Sequence, residues 1–242
     1  SRRKTIVLFS HNTHSFIINE IKYAAGVFER VVVLCPNNNE IKNESMKYAN
    51  VKFHPVTKLK SPCIFIKGMK NIIGFLGEEF RNLRKNNTFS MYYFKVLGQY
   101  IAFTNVLNDE IQSLLQTYNA DEIVILSLWF SATSFSTSLM KEKYPDIRAI
   151  SLAHSFEIDD EKNPFVDYLF KGYCDDKLDH IYFISEKVKN KYILKHAVPN
   201  SWDTKKIGVT YLGITKRKSG ASKSTSGHPY RVLSCSHCVP VK

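Results

Sequence analysis

The sequence predicts an α/β fold in which helices flank a parallel sheet. Short apolar runs rich in β-branched residues recur along the chain, and each is typical of a strand. Helical apolar spacing separates most of these runs, and strands joined through helices pair in parallel. Hydrophobic residues make up 44% of the 242 residues, which is enough to bury a core.

The first 60 residues contain three predicted strands and at least one helix. The strands run over Lys4–Ser10, Arg30–Cys35 and Val51–Val56. The second of them reads RVVVLC, a continuous apolar run that indicates a strand buried on both faces. The spacing from Phe16 onward predicts a helix, with Thr13 or Ser15 as its cap.

Residues 63–118 predict two consecutive helices with no strand between them. In the first, over Phe65–Lys85, the apolar residues share one face. The basic residues of its opposite side are Lys67, Lys70, Arg81, Arg84 and Lys85. This segregation is typical both of a helix on an anionic membrane surface and of an ordinary helix packed on a sheet, and both interpretations stay open. The second helix is predicted over Phe89–Tyr118.

The alternation of strands and helices then resumes. The later strands are predicted over 122–128, 148–153, 180–184 and 207–212, with helices over 130–143, near 165–174 and from 185. A polar stretch over 215–229 reads as a linker, and a further strand begins at 230. We therefore expect one domain over 1–214, a linker over 215–229 and the first strand of a truncated second domain over 230–242.

The charge of the chain is concentrated in its first half. The whole sequence carries 34 Lys and Arg against 22 Asp and Glu, and residues 1–106 hold 16 of the former and 6 of the latter. No recognition helix, zinc finger or stacking-strand motif of nucleic-acid modules accompanies this charge. We expect no nucleic-acid partner and favour a peripheral anionic membrane.

Five scattered cysteines do not form a disulfide framework, which favours a reducing, cytoplasmic setting. The pair Cys235 and Cys238 has zinc-ligand spacing, but no second pair lies nearby, so we expect no metal site. The basic N-terminus runs straight into the strand-like segment from Lys4, so we expect no signal peptide there. We also expect no membrane-spanning segment, because charged residues interrupt the longest apolar run.

Two predicted strand ends carry polar residues that are candidates for binding or catalysis. The first strand is followed by His11, Asn12, Thr13 and His14, and a later strand is followed by His154 and Glu157. Ligands of open parallel sheets bind at the carboxyl ends of the strands, where helix N-termini also offer free N–H groups. A polar capping loop and a structural histidine remain the alternatives for these two segments.

Four segments, in chain order, are similar to those of one enzyme family. They are SFIINEI from Ser15, AHSFE from Ala153, HIYFISE from His180 with YLGI from Tyr211, and VLSCS from Val232 with VPVK from Val239. On these segments the chain resembles the N-terminal half of glycosyltransferase family 4 enzymes of GT-B architecture, of the bacterial capsule, exopolysaccharide or lipopolysaccharide type.

The resemblance implies a Rossmann-like acceptor domain of a retaining glycosyltransferase. Such an enzyme transfers a sugar from a nucleotide-sugar to a glycan acceptor, here one expected to be lipid-linked, without a metal or another cofactor. The implied location is the cytoplasm, or the inner face of the cytoplasmic membrane. The alternative that we keep is a non-enzymatic Rossmann-like module that binds an anionic partner or a membrane surface.

The resemblance also implies roles for single residues. His154 and Glu157 match the catalytic segment beside the donor sugar, although Glu157 stands where Asp is usual. Lys242 matches a lysine that neutralises the donor pyrophosphate, His237 occupies its arginine partner's position, and Ser185 matches a serine on the donor side. The loop over 11–14 would face donor and acceptor. Most of the family's donor-site residues would follow Lys242, so we expect the chain to be inactive alone.

Overall fold

The computed structural model describes residues 4–56, 91–158, 170–195 and 206–211. Within them, seven parallel strands form one sheet in the order β3-β2-β1-β4-β5-β6-β7. The strands are β1 Thr5–Phe9, β2 Arg30–Cys35, β3 Val51–Pro55, β4 Ile123–Ser127, β5 Arg148–Ala153, β6 His180–Phe183 and β7 Ile207–Val209. The order reverses between β1 and β4, as in Rossmann-like sheets. The predicted α/β fold is therefore confirmed.

Six α-helices lie within the described ranges. They are α1 Phe16–Val27, α2 Asn39–Ser45, α3 Met91–Leu115, α4 Ala132–Lys143, α5 Lys171–Lys177 and α6 Glu186–Lys195. Ser15 precedes α1 as expected, but its side chain makes no capping hydrogen bond. Helix α2 was not predicted; it is capped by Asn38, whose side-chain oxygen accepts from the N–H groups of Glu40 and Ile41.

Both faces of the central strands are buried. Alternate residues of β1 contribute to two separate cores, with Phe9 in one and Leu8 in the other. The first core contains Phe103 and Ile111 of α3, while Ile17 of α1 belongs to the second. Strand β2 is buried from its second residue onward, which confirms the interpretation of RVVVLC.

Several element boundaries differ from the prediction. The helix expected from Phe130 begins at Ala132, and β7 ends at Val209. The helix expected near 165–174 begins at Lys171, since Phe170 before it has a φ of 55° in the left-handed region. The predicted helix over 65–85, the linker and the last strand lie outside the described residues. In the described ranges, no helix is long and apolar enough to cross a bilayer.

Candidate functional site

The candidate site lies where the carboxyl ends of β1, β4 and β5 meet. These strands are neighbours in the sheet, and the reversal of strand order falls between β1 and β4. Ligands of open α/β sheets bind in the crevice beside such a reversal. The loop after β1 carries His11–His14, the loop after β4 carries Trp129, and the turn after β5 carries His154.

Five aromatic side chains from these loops and from the start of α1 form one group, which we call the ring cluster. Its members are His11, His14, Phe16, Trp129 and His154. Trp129 is its centre, because its ring centroid lies 4.4 Å from that of His154, 5.0 Å from that of His14 and 5.3 Å from that of His11. The cluster thus brings together three of the histidines that the sequence singled out.

The imidazole of His154 is held in one orientation. Its Nε2 lies 3.1 Å from the main-chain oxygen of Leu128, and because a carbonyl only accepts, Nε2 carries the proton and donates. The side chain is buried, and this burial lowers the pKa of His154 to about 4. His154 is therefore a neutral ring of fixed tautomer at neutral pH.

His11 is fixed in the same way by two side chains. Its Nε2 lies 3.0 Å from Asn12 Nδ2, which is a donor, so Nε2 accepts. Its proton is then on Nδ1, which lies 3.0 Å from the Oγ of Ser131 and donates to it. Burial, followed by the neighbouring His14 and His154, lowers the pKa of His11 to about 4. The loop after β1 is therefore hydrogen-bonded, through His11, to Ser131, the residue that precedes α4.

The other predicted site residues occupy different settings. Thr13 and His14 are exposed at the mouth of the site. Ser185 follows β6, and its Oγ accepts from the N–H of Val188 at 3.3 Å, so it caps α6. None of the interactions described here connects Ser185 to the ring cluster.

Glu157 is buried beneath the site surface. Its side chain is 2% exposed, and its Oε2 accepts from the main-chain N–H of His154 at 3.0 Å. Burial raises the pKa of Glu157 to about 7, against the stabilising effect of this hydrogen bond. The catalytic role predicted for Glu157 stays a prediction, while the geometry shows a carboxyl group that holds the main chain of His154.

A group of buried hydroxyls fixes the loop that carries Trp129. The main-chain oxygen of Trp129 accepts from Ser127, Thr133 and Ser134 at 2.7, 3.0 and 2.7 Å. Ser134 is also 2.6 Å from the Oγ of Ser151 on β5. These bonds explain why the first turns of α4 are rich in serine and threonine although they are buried.

Sequence reasoning missed Trp129 and the buried Lys171 of α5. Trp129 directly follows the apolar strand pattern, so it reads as a core residue. Only the strand order of the folded sheet, in which β1 and β4 are neighbours, places it beside His11. No sequence pattern around Lys171 marks it as a functional residue. Lys67, Lys70, Arg81, Arg84, Lys85, His237 and Lys242 lie outside the described residues. Among the residues described, no three His, Cys, Asp or Glu side chains form a group suited to a metal ion.

Comparison with solved structures gives distant likenesses of fold. No family model matches the chain, and no curated protein matches it. UDP-N-acetylglucosamine 2-epimerase from Rickettsia bellii is 8% identical with a TM-score of 0.45, over 86% of this chain and 45% of that one. O-ureido-L-serine synthase is 14% identical with a TM-score of 0.28, over 90% and 79%. The chain thus spans less than half the length of the epimerase.

Proposed function

We propose that this chain is the acceptor-side domain of a retaining glycosyltransferase, with the ring cluster as its sugar-binding site. The observation that carries the proposal is the position of His154. Its neutral ring is fixed on Trp129 at the carboxyl end of β5, beside the reversal of strand order. The segment AHSFE, on which part of the family resemblance rests, supplies this same histidine.

The rings at the mouth of the site suit a ligand that is part polar and part apolar. His14 is exposed, and Phe156, in the same turn as His154, is 50% exposed. A sugar presents hydroxyls around its edge and C–H groups on its faces, so it can meet an imidazole edge and an aromatic ring together. This match supports a carbohydrate ligand over a purely ionic one.

The low pKa of His154 restricts its role in the transfer. The reaction breaks the bond between the sugar C1 and a phosphate oxygen and forms a bond from C1 to an acceptor oxygen, whose proton must leave. An imidazole with a pKa of about 4 is a weak base, and general bases work best with a pKa near the working pH. We therefore assign His154 the task of contacting and orienting the sugar, and the acceptor proton passes to the phosphate oxygen of the leaving nucleotide.

Binding is testable on this chain through Trp129. Trp202 is the other tryptophan, so Trp202→Phe leaves Trp129 as the single fluorophore. We expect methyl glycosides or nucleotide-sugars such as UDP-glucose and GDP-mannose to produce a saturable change in Trp129 emission. His154→Gln should weaken the affinity at least about tenfold, about 1.4 kcal/mol. The matched control is His54→Gln, on the distant strand β3.

Transfer is tested in the natural full-length protein with the same two variants. We expect His154→Gln to lower kcat/KM for sugar transfer by about 100-fold, since orientation of a reacting group is worth several kcal/mol. His54→Gln should leave the rate unchanged. If no probe binds to a folded protein, or if His154→Gln has the parent's affinity and rate, the proposal fails.

A further inference from the structure

A buried pair of charged residues lies against the loops that carry the ring cluster. Lys171, the first residue of α5, is 4% exposed, and Glu157 is 2% exposed. The Nζ of Lys171 donates to the main-chain oxygen of Glu157. Buried lysines and glutamates are rare and costly unless their charges are compensated, so this pair requires an explanation beyond packing.

The contacts of the pair lead directly to His154. Glu157 closes the short turn after β5, with its Oε2 on the N–H of His154 and its own N–H donating to the oxygen of His154 at 3.3 Å. Lys171 holds the last carbonyl of the same turn. The main chain of His154 is therefore bonded to Glu157, and Glu157 to Lys171.

Lys171 also contacts the neighbouring loop. Its Nζ lies 5.6 Å from the ring centroid of Phe130, the residue after Trp129, at a distance typical of cation–π contacts. One turn along α5, both carboxyl oxygens of Asp175 accept from the Tyr192 hydroxyl, at 2.7 and 2.8 Å, which ties α5 to α6. Lys171 thus lies between the turn after β5 and the loop after β4, with a contact to each.

We propose that Lys171 and Glu157 are positioning residues that set the orientation of His154 on Trp129. The pair touches the main chain of His154 and the ring of Phe130, the residue after Trp129, and it is not assigned a contact with a ligand. This inference rests on the proposed function in one respect: the pair matters for catalysis only if His154 contacts the sugar. The geometric claim itself concerns the ring of His154 in the free protein.

Burial disfavours the charged forms of Glu157 and Lys171, and the opposite charge of each partner offsets this cost. Burial raises the pKa of Glu157 and lowers that of Lys171 to about 8, so each charge is costly alone, while the nearby opposite charge favours both ionised forms. A single charge left without its partner is strongly unfavourable, whereas removal of both charges together is tolerated far better. The other ionisable groups that act on these residues are His11 and His14 from the loop after β1, which lie beside His154, and Cys174 and Asp175 of α5 itself, which lie beside Lys171.

The experiment measures the tautomer and pKa of His154 by NMR on protein labelled with ¹⁵N-histidine, without ligand. His154 is assigned as the signal absent from His154→Gln. In the parent we expect one Nε2–H tautomer and a pKa far below the ordinary 6.5. In Lys171→Met, and in the double variant Lys171→Met with Glu157→Leu, the tautomers should mix and the pKa of His154 should rise toward 6.5.

Two variants separate positioning from general stability. Lys177→Met removes a lysine from the surface of the same helix, where it pairs with Glu142, and should leave the signal of His154 unchanged. Glu157→Gln keeps an oxygen that can accept from the N–H of His154, so it should preserve the tautomer that Glu157→Leu disturbs. If Lys171→Met does not fold, the test rests on the double variant and on the comparison of Glu157→Gln with Glu157→Leu.

The inference is overturned if His154 keeps its tautomer and pKa in folded Lys171→Met or in folded Glu157→Leu. It is also overturned if Glu157→Gln and Glu157→Leu change the signal equally, since the bond to the N–H of His154 would then be irrelevant. Because no ligand is used, these results are independent of whether the ring cluster binds a sugar, and the two proposals can fail separately.

Discussion

The imidazole of His154 stacks on the indole of Trp129, with ring centroids 4.4 Å apart and ring planes 27° apart. The two residues come from the ends of neighbouring strands, β5 and β4. Their contact therefore connects two loops whose positions are set separately, one by the hydroxyls around Ser134 and the other by Glu157.

Replacement of Trp129 should destabilise the fold and release the ring cluster. Trp129 is 8% exposed, so Trp129→Leu removes buried ring contacts with His11, His14 and His154. We expect the free energy of unfolding to fall by about 3 kcal/mol, measured by urea denaturation. Trp129→Phe keeps an aromatic ring and should cost about half as much. Equal stability of the leucine variant and the parent would contradict this packing role.

The stability of the protein should depend on pH through His154. The pKa of His154 is lowered to about 4 in the folded state, so between pH 6.5 and 4 the unfolded chain binds a proton that the folded one does not. Protonation of this histidine therefore favours unfolding as the pH falls. The buried acids Glu157 and Asp175 have raised pKa values, which act in the opposite direction over part of the same range.

The contribution of His154 is isolated by comparing two proteins at each pH. The stability of His154→Gln relative to the parent should rise by up to about 3 kcal/mol from pH 7 to pH 4. Urea denaturation at unit pH intervals gives this difference, because contributions common to both proteins cancel. A difference that does not change with pH would show that His154 titrates normally in the fold.

Loss of the Ser134 hydroxyl should cost more than loss of a neighbouring one. Ser134 joins the oxygen of Trp129 to Ser127 and Ser151, so Ser134→Ala leaves several buried groups with fewer partners. We expect a loss of about 2 kcal/mol in the free energy of unfolding.

The matched control is Ser138→Ala on the same helix. Its hydroxyl donates to the oxygen of Ser134, four residues earlier, at 2.9 Å, and that oxygen is already engaged in the helix. The expected cost is below about 0.5 kcal/mol. Equal losses in the two variants would mean that the hydroxyl group does not specifically support the loop of Trp129.

The predicted membrane contact of residues 65–85 is testable by co-sedimentation with vesicles. Binding to vesicles with anionic lipid should exceed binding to neutral ones, because each basic residue near such a surface contributes about 1 kcal/mol. Substitution of Lys67, Lys70, Arg81 and Arg84 by Gln should lower the bound fraction strongly. The prediction would be contradicted if the bound fraction were the same for anionic and neutral vesicles and were unchanged by these substitutions.

The sheet was predictable because its signals are local. Arg30–Cys35 and Arg148–Ala153 are short runs typical of a strand, and the structure confirms both ends of each. Helix α2 was not predicted because it is only seven residues long and its Asn38 cap is a residue type that also marks a turn. The start of α5 at Lys171 was not predicted, because nothing in the sequence marks Phe170 as a residue with a left-handed backbone.

The site was predictable only in part. The sequence places His11, His14 and His154 at strand ends, and strand adjacency then brings them together. The tryptophan between them and the lysine beneath them are recognised only once the loops are folded, because Trp129 and Lys171 have contacts far away in the chain. The burial that makes the imidazole of His154 neutral is likewise a property of the fold.

The most direct test of the central claim is a titration of the ¹⁵N-histidine signals of this chain with a nucleotide-sugar and with a methyl glycoside. We predict saturable shifts of His14 and His154, and of His11 beside them, with the signals of His54 and His180 unchanged. His180 lies at the start of β6, at the opposite end of the sheet. Shifts confined to histidines outside the ring cluster, or none at ligand concentrations in the tens of millimolar, would contradict the assignment of a sugar site to His154 and Trp129.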